Sequence, residues 1–136
     1  MLLLQPRKTK FKKIRKRRQN TKFEFKANKL SFGDIGVKST MSGTITSRQI
    51  ESARQAITRK IKRKGKIWIK IFPYMPITSK PTESRMGKGK GSVSHWGAYI
   101  KKGTTLFEIC GVPKNIAIEA LKSGSSKLPV TTKIFD

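Results

Sequence analysis

The chain has 136 residues, 32 Lys plus Arg against 7 Asp plus Glu, and a formal charge of +25. That length holds one ordinary domain and not two, and a charge far beyond the usual magnitude of roughly 2 to 8 calls for a polyanionic partner. No run approaches the ~20 apolar residues of a membrane-spanning helix, and the single cysteine, Cys110, excludes an intrachain disulfide.

Residues 1–23 carry ten basic side chains and no acid. Arg7, Lys8, Lys10, Lys12, Lys13, Arg15, Lys16, Arg17 and Arg18 form the densest run. It has too few apolar residues to bury a face, so alone it is expected to be disordered. A nucleic-acid-binding arm fits it better than an organellar transit peptide, because serine is scarce and no amphipathic face is visible. Phe11 offers a ring for stacking on a base, or for packing. Residues 24–136 then read as a single domain.

Leu30, Phe32, Ile35 and Val37, interrupted by Gly33 and Gly36, predict short strands over 30–45. The clearest helix spans 46–64. Thr46 and Gln49 form a capping box, Ile50, Ala53, Ile57 and Ile61 recur at helical spacing, and Gly65 serves as the stop. Arg48, Arg54, Arg59, Lys62 and Arg63 cover much of its remaining surface. That exceeds what the helix dipole uses, and marks a phosphate-binding face.

Alternation over 66–72 predicts a strand with Ile67, Ile69 and Ile71 toward the core. Trp68 and Phe72 fall on the other face, as a base-stacking platform or a second packed layer. Residues 73–91, with Pro73, Pro76 and Pro81, read as one long functional loop. Strands follow at 92–101 and 104–110, joined by a hairpin-like turn at Lys101-Lys102-Gly103. Cys110 reads as a small buried hydrophobe. Pro113 opens a second helix with an apolar stripe of Ile116, Ala120 and Leu121, stopped by Gly124. Leu128, Val130, Thr132 and Ile134 form a last strand, and Pro129 suits a sheet edge. The fold class is therefore α+β: a mostly antiparallel sheet with two helices packed on it, a basic N-terminal extension and a long Gly/Lys loop.

The loop contains Arg85-Met86-Gly87-Lys88-Gly89-Lys90-Gly91. If extended, Lys88 and Lys90 share one face and the glycines the other, which allows close approach to a polyanion. A solvated, flexible loop is the alternative. Gly91 follows Lys90 where a P-loop needs Ser or Thr, and Ser92 stands where the dinucleotide fingerprint needs its last glycine. His95 is the sole histidine, and the seven acids form neither a close pair nor a metal cluster. Hence no catalytic residue, metal, cofactor or small-molecule substrate is expected. Positive charge without a sequence-reading device points to phosphates and shape, as in structured RNA.

Several blocks carry a family resemblance: Leu4-Gln5-Pro6-Arg7-Lys8-Thr9-Lys10-Phe11, Arg48-Gln49-Ile50-Glu51-Ser52-Ala53-Arg54, Gly65-Lys66-Ile67-Trp68-Ile69, the 85–91 motif, Trp96, Gly111-Val112 and Lys127-Leu128-Pro129. In this order, over almost the whole length, the chain resembles the bacterial and organellar ribosomal large-subunit protein sixteen family. The resemblance implies a non-enzymatic structural constituent of the large subunit. It also implies partners: large-subunit rRNA, tRNA and other large-subunit proteins. By position, Arg85, Met86, Gly87, Lys88, Gly89 and Lys90 become a tRNA-facing loop near the peptidyl-transferase region, and late subunit assembly becomes a second role. Arg85 matches an arginine that is hydroxylated in some bacterial members. Leu2-Leu3 and residues 19–29 depart from the pattern, and Pro81-Thr82-Glu83 looks mitochondrial. The start lies almost on the signature, so a mitochondrial protein of the matrix ribosome is expected to be encoded in the organelle or to stand in its mature form, with plastid or bacterial cytoplasm as alternatives. A general basic DNA- or RNA-binding chaperone outside the ribosome is the competing function, and an imported small enzyme a weaker one.

Overall fold

The computed structural model describes residues 4–15, 22–87 and 89–136. Lys16, Arg17, Arg18 and Lys88 lie outside the described residues. Strands β1 (Ile35–Ser39) and β2 (Gly43–Thr46) lead into helix α1 (Ser47–Lys60). Then come β3 (Lys66–Ile69), β4 (Met75–Ser79), β5 (Ser92–Ile100), β6 (Thr105–Cys110), helix α2 (Lys114–Ser125) and β7 (Thr132–Phe135). The class is α+β, but the strands form two antiparallel sheets rather than one. Four run in the order β3-β6-β1-β7 and three in the order β2-β5-β4.

The core fills the space between the sheets and the two helices, which pack on each other. Ile50, Ala53 and Ile57 of α1 meet Ala117, Ala120 and Leu121 of α2, over Val37, Phe107 and Ile109 of the larger sheet. Ile45, Ala98 and Ile100 bring the smaller sheet into the same cluster.

Four expectations are corrected. Residues 75–79 are a strand and not loop: β4 pairs with β5 in register Met75↔Gly97 to Ser79↔Ser92. Pro76 is tolerated because β4 is an edge, and a register shift at Ile77/Thr78 breaks the alternation that would have betrayed it. β5 and β6 are not a hairpin; the chain changes sheets at Lys101–Thr104, where the Gly103 amide donates to the Ser39 carbonyl at 2.7 Å. Gly124 does not stop α2. It lies inside the helix where a Cβ would stand 2.5 Å from Ile57 Cγ1, so it sets how closely the helices approach. Ile116 is exposed, and the stripe runs instead through Ala117, Ala120, Leu121 and Gly124.

β6 is buried on both faces, Glu108 included. Its outer face is covered by the segment before β1, whose amides at Ser31, Phe32 and Gly33 donate to the Glu108 carboxylate at 2.8 to 3.2 Å. For this reason β1 begins at Ile35 and not at Leu30: the backbone groups of 31–33 are committed to a side chain. Cys110 is only half-buried, and its hydrogen bond with Asp34 raises the thiol pKa above the usual value. It is not a poised nucleophile.

Candidate nucleic-acid interface

Helix α1 begins as its sequence requires. Thr46 Oγ1 accepts from the Gln49 amide at 3.3 Å and the Gln49 side chain accepts from the Thr46 amide at 2.9 Å. It ends earlier than Gly65. The Lys62 amide donates to Arg59 O and the Arg63 amide to Thr58 O, both at 3.2 Å. These two bonds define a Schellman terminus with Lys62 at the left-handed position usually given to glycine. Lys62 has φ 52° and Arg63 φ 63°. Two cationic side chains are therefore presented on a strained turn, where an L-residue costs about 1–2 kcal/mol.

That turn closes an open cleft of about 660 Å³ lined by Arg54, Gln55, Thr58, Arg59, Lys62 and Arg63. Arg54 is partly neutralised. Its guanidinium bonds both oxygens of Glu51, at 3.0 and 2.6 Å, and this pair holds Glu51 below the usual carboxylate range while raising Arg54. Arg59, Lys62 and Arg63 are exposed and make no ion pair among the described residues. Five of the seven acids, by contrast, are each held by one Lys or Arg: Glu51, Glu119, Glu108, Glu24 and Asp136. The acids are used internally, so the outward field is that of the surplus cations.

Arg48 stands at the other end of α1, about 20 Å away by the helical rise. It shares a hollow of about 230 Å³ with Thr46, Ser94 and His95, at the start of β5. Arg48 thereby connects the helix to the root of the Gly/Lys loop.

The loop is the tip of the β4–β5 hairpin. Met86 is 95% exposed, and Arg85, Gly87, Gly89 and Lys90 are exposed around it. The backbone is not extended at Gly87 or Gly89. Gly87 and Gly89 have φ of 96° and 82°, which only glycine adopts freely, and a Cβ on either would meet only open space. The curl is tied by Lys80, whose Nζ donates to Gly87 O at 2.6 Å. At the neck, a Cβ on Gly91 would lie 2.7 Å from the Ser79 carbonyl carbon, so the two strands meet there backbone to backbone.

The arm reaches this loop. Lys13 Nζ donates to Lys90 O at 2.8 Å, and Lys90 Nζ donates in return to Ile14 O. Ile14 and Arg15 cap a cavity of about 290 Å³ over β4, beside Tyr99. Leu4 packs against the core, while Arg7, Lys8, Lys10, Lys12 and Lys13 remain exposed. The described part of the arm is thus anchored at both ends. Phe11 is 62% exposed, with Lys10 Nζ 5.7 Å from its ring. Neither Lys80 nor the arm-to-loop clasp has a signature along the chain; no local pattern marks a lysine that bonds a carbonyl 76 or 77 positions away.

Comparison with known proteins decides the family. The family model described as "Ribosomal protein L16p/L10e" matches residues 6–135. This chain belongs to that family. It is 53% identical over 130 residues to the large ribosomal subunit protein uL16 of Borrelia recurrentis, covering 96% of this chain and 94% of that one. The uL16 proteins of Francisella tularensis subsp. holarctica and Cereibacter sphaeroides are each 54% identical. They cover 98% and 97% of this chain, and 97% and 96% of their own lengths. The match takes in both helices, both sheets and the hairpin loop, so the whole cationic surface described above falls within the family's extent.

Proposed function

We propose that the chain is a structural constituent of the large ribosomal subunit that binds rRNA through the arm and α1 and faces tRNA with the loop. The observation that carries this reading is the α1 terminus, where Arg59, Lys62 and Arg63 line one cleft without carboxylate partners among the described residues. Cations left open at a strained turn fit phosphates that arrive from another molecule. The arm would thread between rRNA segments, and its clasp on Lys90 would set the loop's direction. Arg85 to Lys90, with glycines open to solvent at 87 and 89, suit close approach to a tRNA backbone near the peptidyl-transferase region. Support of late subunit assembly follows from a protein that joins separate rRNA segments. The family is one of structural proteins, and the cationic surface works by binding rather than by chemistry.

RNA affinity should fall with log salt at a slope of about −0.7Z to −0.9Z for Z phosphates neutralised. An isotherm flat from low to high salt would sink the electrostatic account. Replacing Lys88 and Lys90 together by alanine should impair tRNA binding and translation more than incorporation into the subunit; normal tRNA binding on mutant ribosomes refutes the loop assignment. On a sucrose gradient the protein should migrate with large subunits, and free protein that prefers duplex DNA would favour the non-ribosomal chaperone instead. For the compartment, Pro81-Thr82-Glu83 favours a mitochondrial ribosome and the bacterial relatives a bacterial one; organelle fractionation separates them.

A further inference from the structure

The outer face of β3 carries a second cationic surface, distinct from α1, the arm and the loop. Lys66, Trp68 and Lys70 alternate outward there while Ile67, Ile69 and Ile71 turn inward. Phe32 lies over this row. Its ring stacks on Trp68 with centroids 5.9 Å apart and an interplanar angle of 21°. Lys70 Nζ sits 4.4 Å from the Phe32 centroid, and Lys66 Nζ 5.1 Å from that of Trp68.

Phe32 was expected inside a strand, yet it is 61% exposed. An exposed ring on a loop normally samples many positions. This one is fixed. The Phe32 amide and its neighbours at Ser31 and Gly33 all donate to the fully buried Glu108 carboxylate. Lys70 Nζ, 3.7 Å from Glu108 Oε1, completes the neutralisation. Gly33 allows the approach, because a Cβ there would stand 2.8 Å from Glu108 Cβ. Trp68 lies in β3 and Lys70 just after it, and with both against the ring Phe32 still keeps 61% of its surface open.

We infer that Phe32, backed by Trp68 and with the exposed Lys66 beside it, is a stacking site for one unpaired RNA nucleobase. The chemistry is specific to that occupant. A flat aromatic face already stacked on a second ring takes a base at low ordering cost, and the exposed Lys66 beside it meets a neighbouring phosphate. A duplex presents no free base face to it, and an apolar protein surface would leave Lys66 desolvated and unpaired. The inference relies on the RNA-binding reading only for the class of ligand; it uses none of the residues assigned there.

The test compares two hairpin RNAs, one fully paired and one with a single bulged 2-aminopurine, binding to the full-length chain. Stacking on one aromatic should make the bulged RNA bind roughly five-fold to a hundred-fold tighter than the paired one, with a change in 2-aminopurine emission. Phe32→Leu keeps the backbone donors to Glu108. It should abolish both the preference and the emission change, and Phe32→Tyr should restore them. The paired hairpin should bind wild type and Phe32→Leu within about twofold of each other, since phosphate contacts are untouched. Equal affinity of wild type for both RNAs overturns the inference, as does a bulge preference that survives Phe32→Leu. Salt-steep binding to both RNAs without preference removes the stacking site and leaves the electrostatic reading intact; absence of binding to either removes both.

Discussion

Replacing Lys62 by glycine should make the protein more stable and a poorer RNA binder at once. Lys62 occupies the left-handed position of the α1 terminus with φ 52°. An L-residue there costs about 1–2 kcal/mol, and glycine gives back about 0.5–1 kcal/mol in unfolded-chain entropy. The net gain is about 0–1.5 kcal/mol, or a rise of up to roughly 5 °C in melting temperature for a domain of this size. Loss of one cation from the cleft should reduce the slope of log affinity against log salt by about 0.9 for duplex RNA. Lys62→Gln separates the two effects, because glutamine removes the charge while keeping a side chain that bears the left-handed cost. Scanning calorimetry and a salt series of fluorescence-anisotropy isotherms make the measurement. A lower melting temperature for Lys62→Gly refutes the strain argument. An unchanged salt slope in both variants refutes the placement of Lys62 against phosphate.

Glu51→Gln releases Arg54 from its fork, so RNA should bind a few-fold tighter and with a steeper salt slope, by filter binding. The same variant tests a pH effect. Glu51 is held below its ordinary value of about 4.3 chiefly by the Arg54 hydrogen bonds, so its stabilising contribution is present above that pH and lost as pH falls through the depressed value. Acid unfolding of wild type should therefore be steeper between pH 5 and 3 than that of the variant; identical profiles would contradict it. Glu108→Ala strands three backbone amides and Lys70, and should cost about 3–5 kcal/mol in urea denaturation; a loss under about 1 kcal/mol would show that water takes over those donors. Gly91→Ala forces the loop neck apart against the Ser79 backbone, and a destabilisation of about 1–3 kcal/mol is expected by thermal melting.

What was legible followed from local rules. Thr46 and Gln49 announced the start of α1 because a capping box needs only four consecutive residues. Ile50, Ala53 and Ile57 gave its buried face by spacing alone. The helix end was misread because glycine is the usual left-handed residue: Gly65 drew the boundary, while the turn had already happened at Lys62. β4 was hidden by Pro76 and by a register shift, both of which an edge strand absorbs at no cost to the rest of the sheet. Among the site residues, the cations of α1 were visible as a surplus of charge on one face, and the structure gathers Arg54, Arg59, Lys62 and Arg63 into one cleft with Arg48 apart at the opposite end. Glu108 looked like one more scattered acid. Its role depends on amides 75 to 77 positions earlier, and no pattern along the chain records that distance.

The change of sheet at Lys101–Thr104 has a bearing on synthesis. β2, β4 and β5 pair within a stretch that ends at Ile100, so the smaller sheet and its hairpin are complete once that stretch is made. β1 gains its partners only from β6 and β7, the latter at Thr132–Phe135. On a nascent chain β1 therefore pairs with β6 first and keeps its other edge open until β7 emerges, the long closure that slows folding. The order of emergence would leave the loop-bearing half formed first and the larger sheet sealed last, so loss of even the final strand should expose β1 as a template for aggregation while the hairpin remains intact.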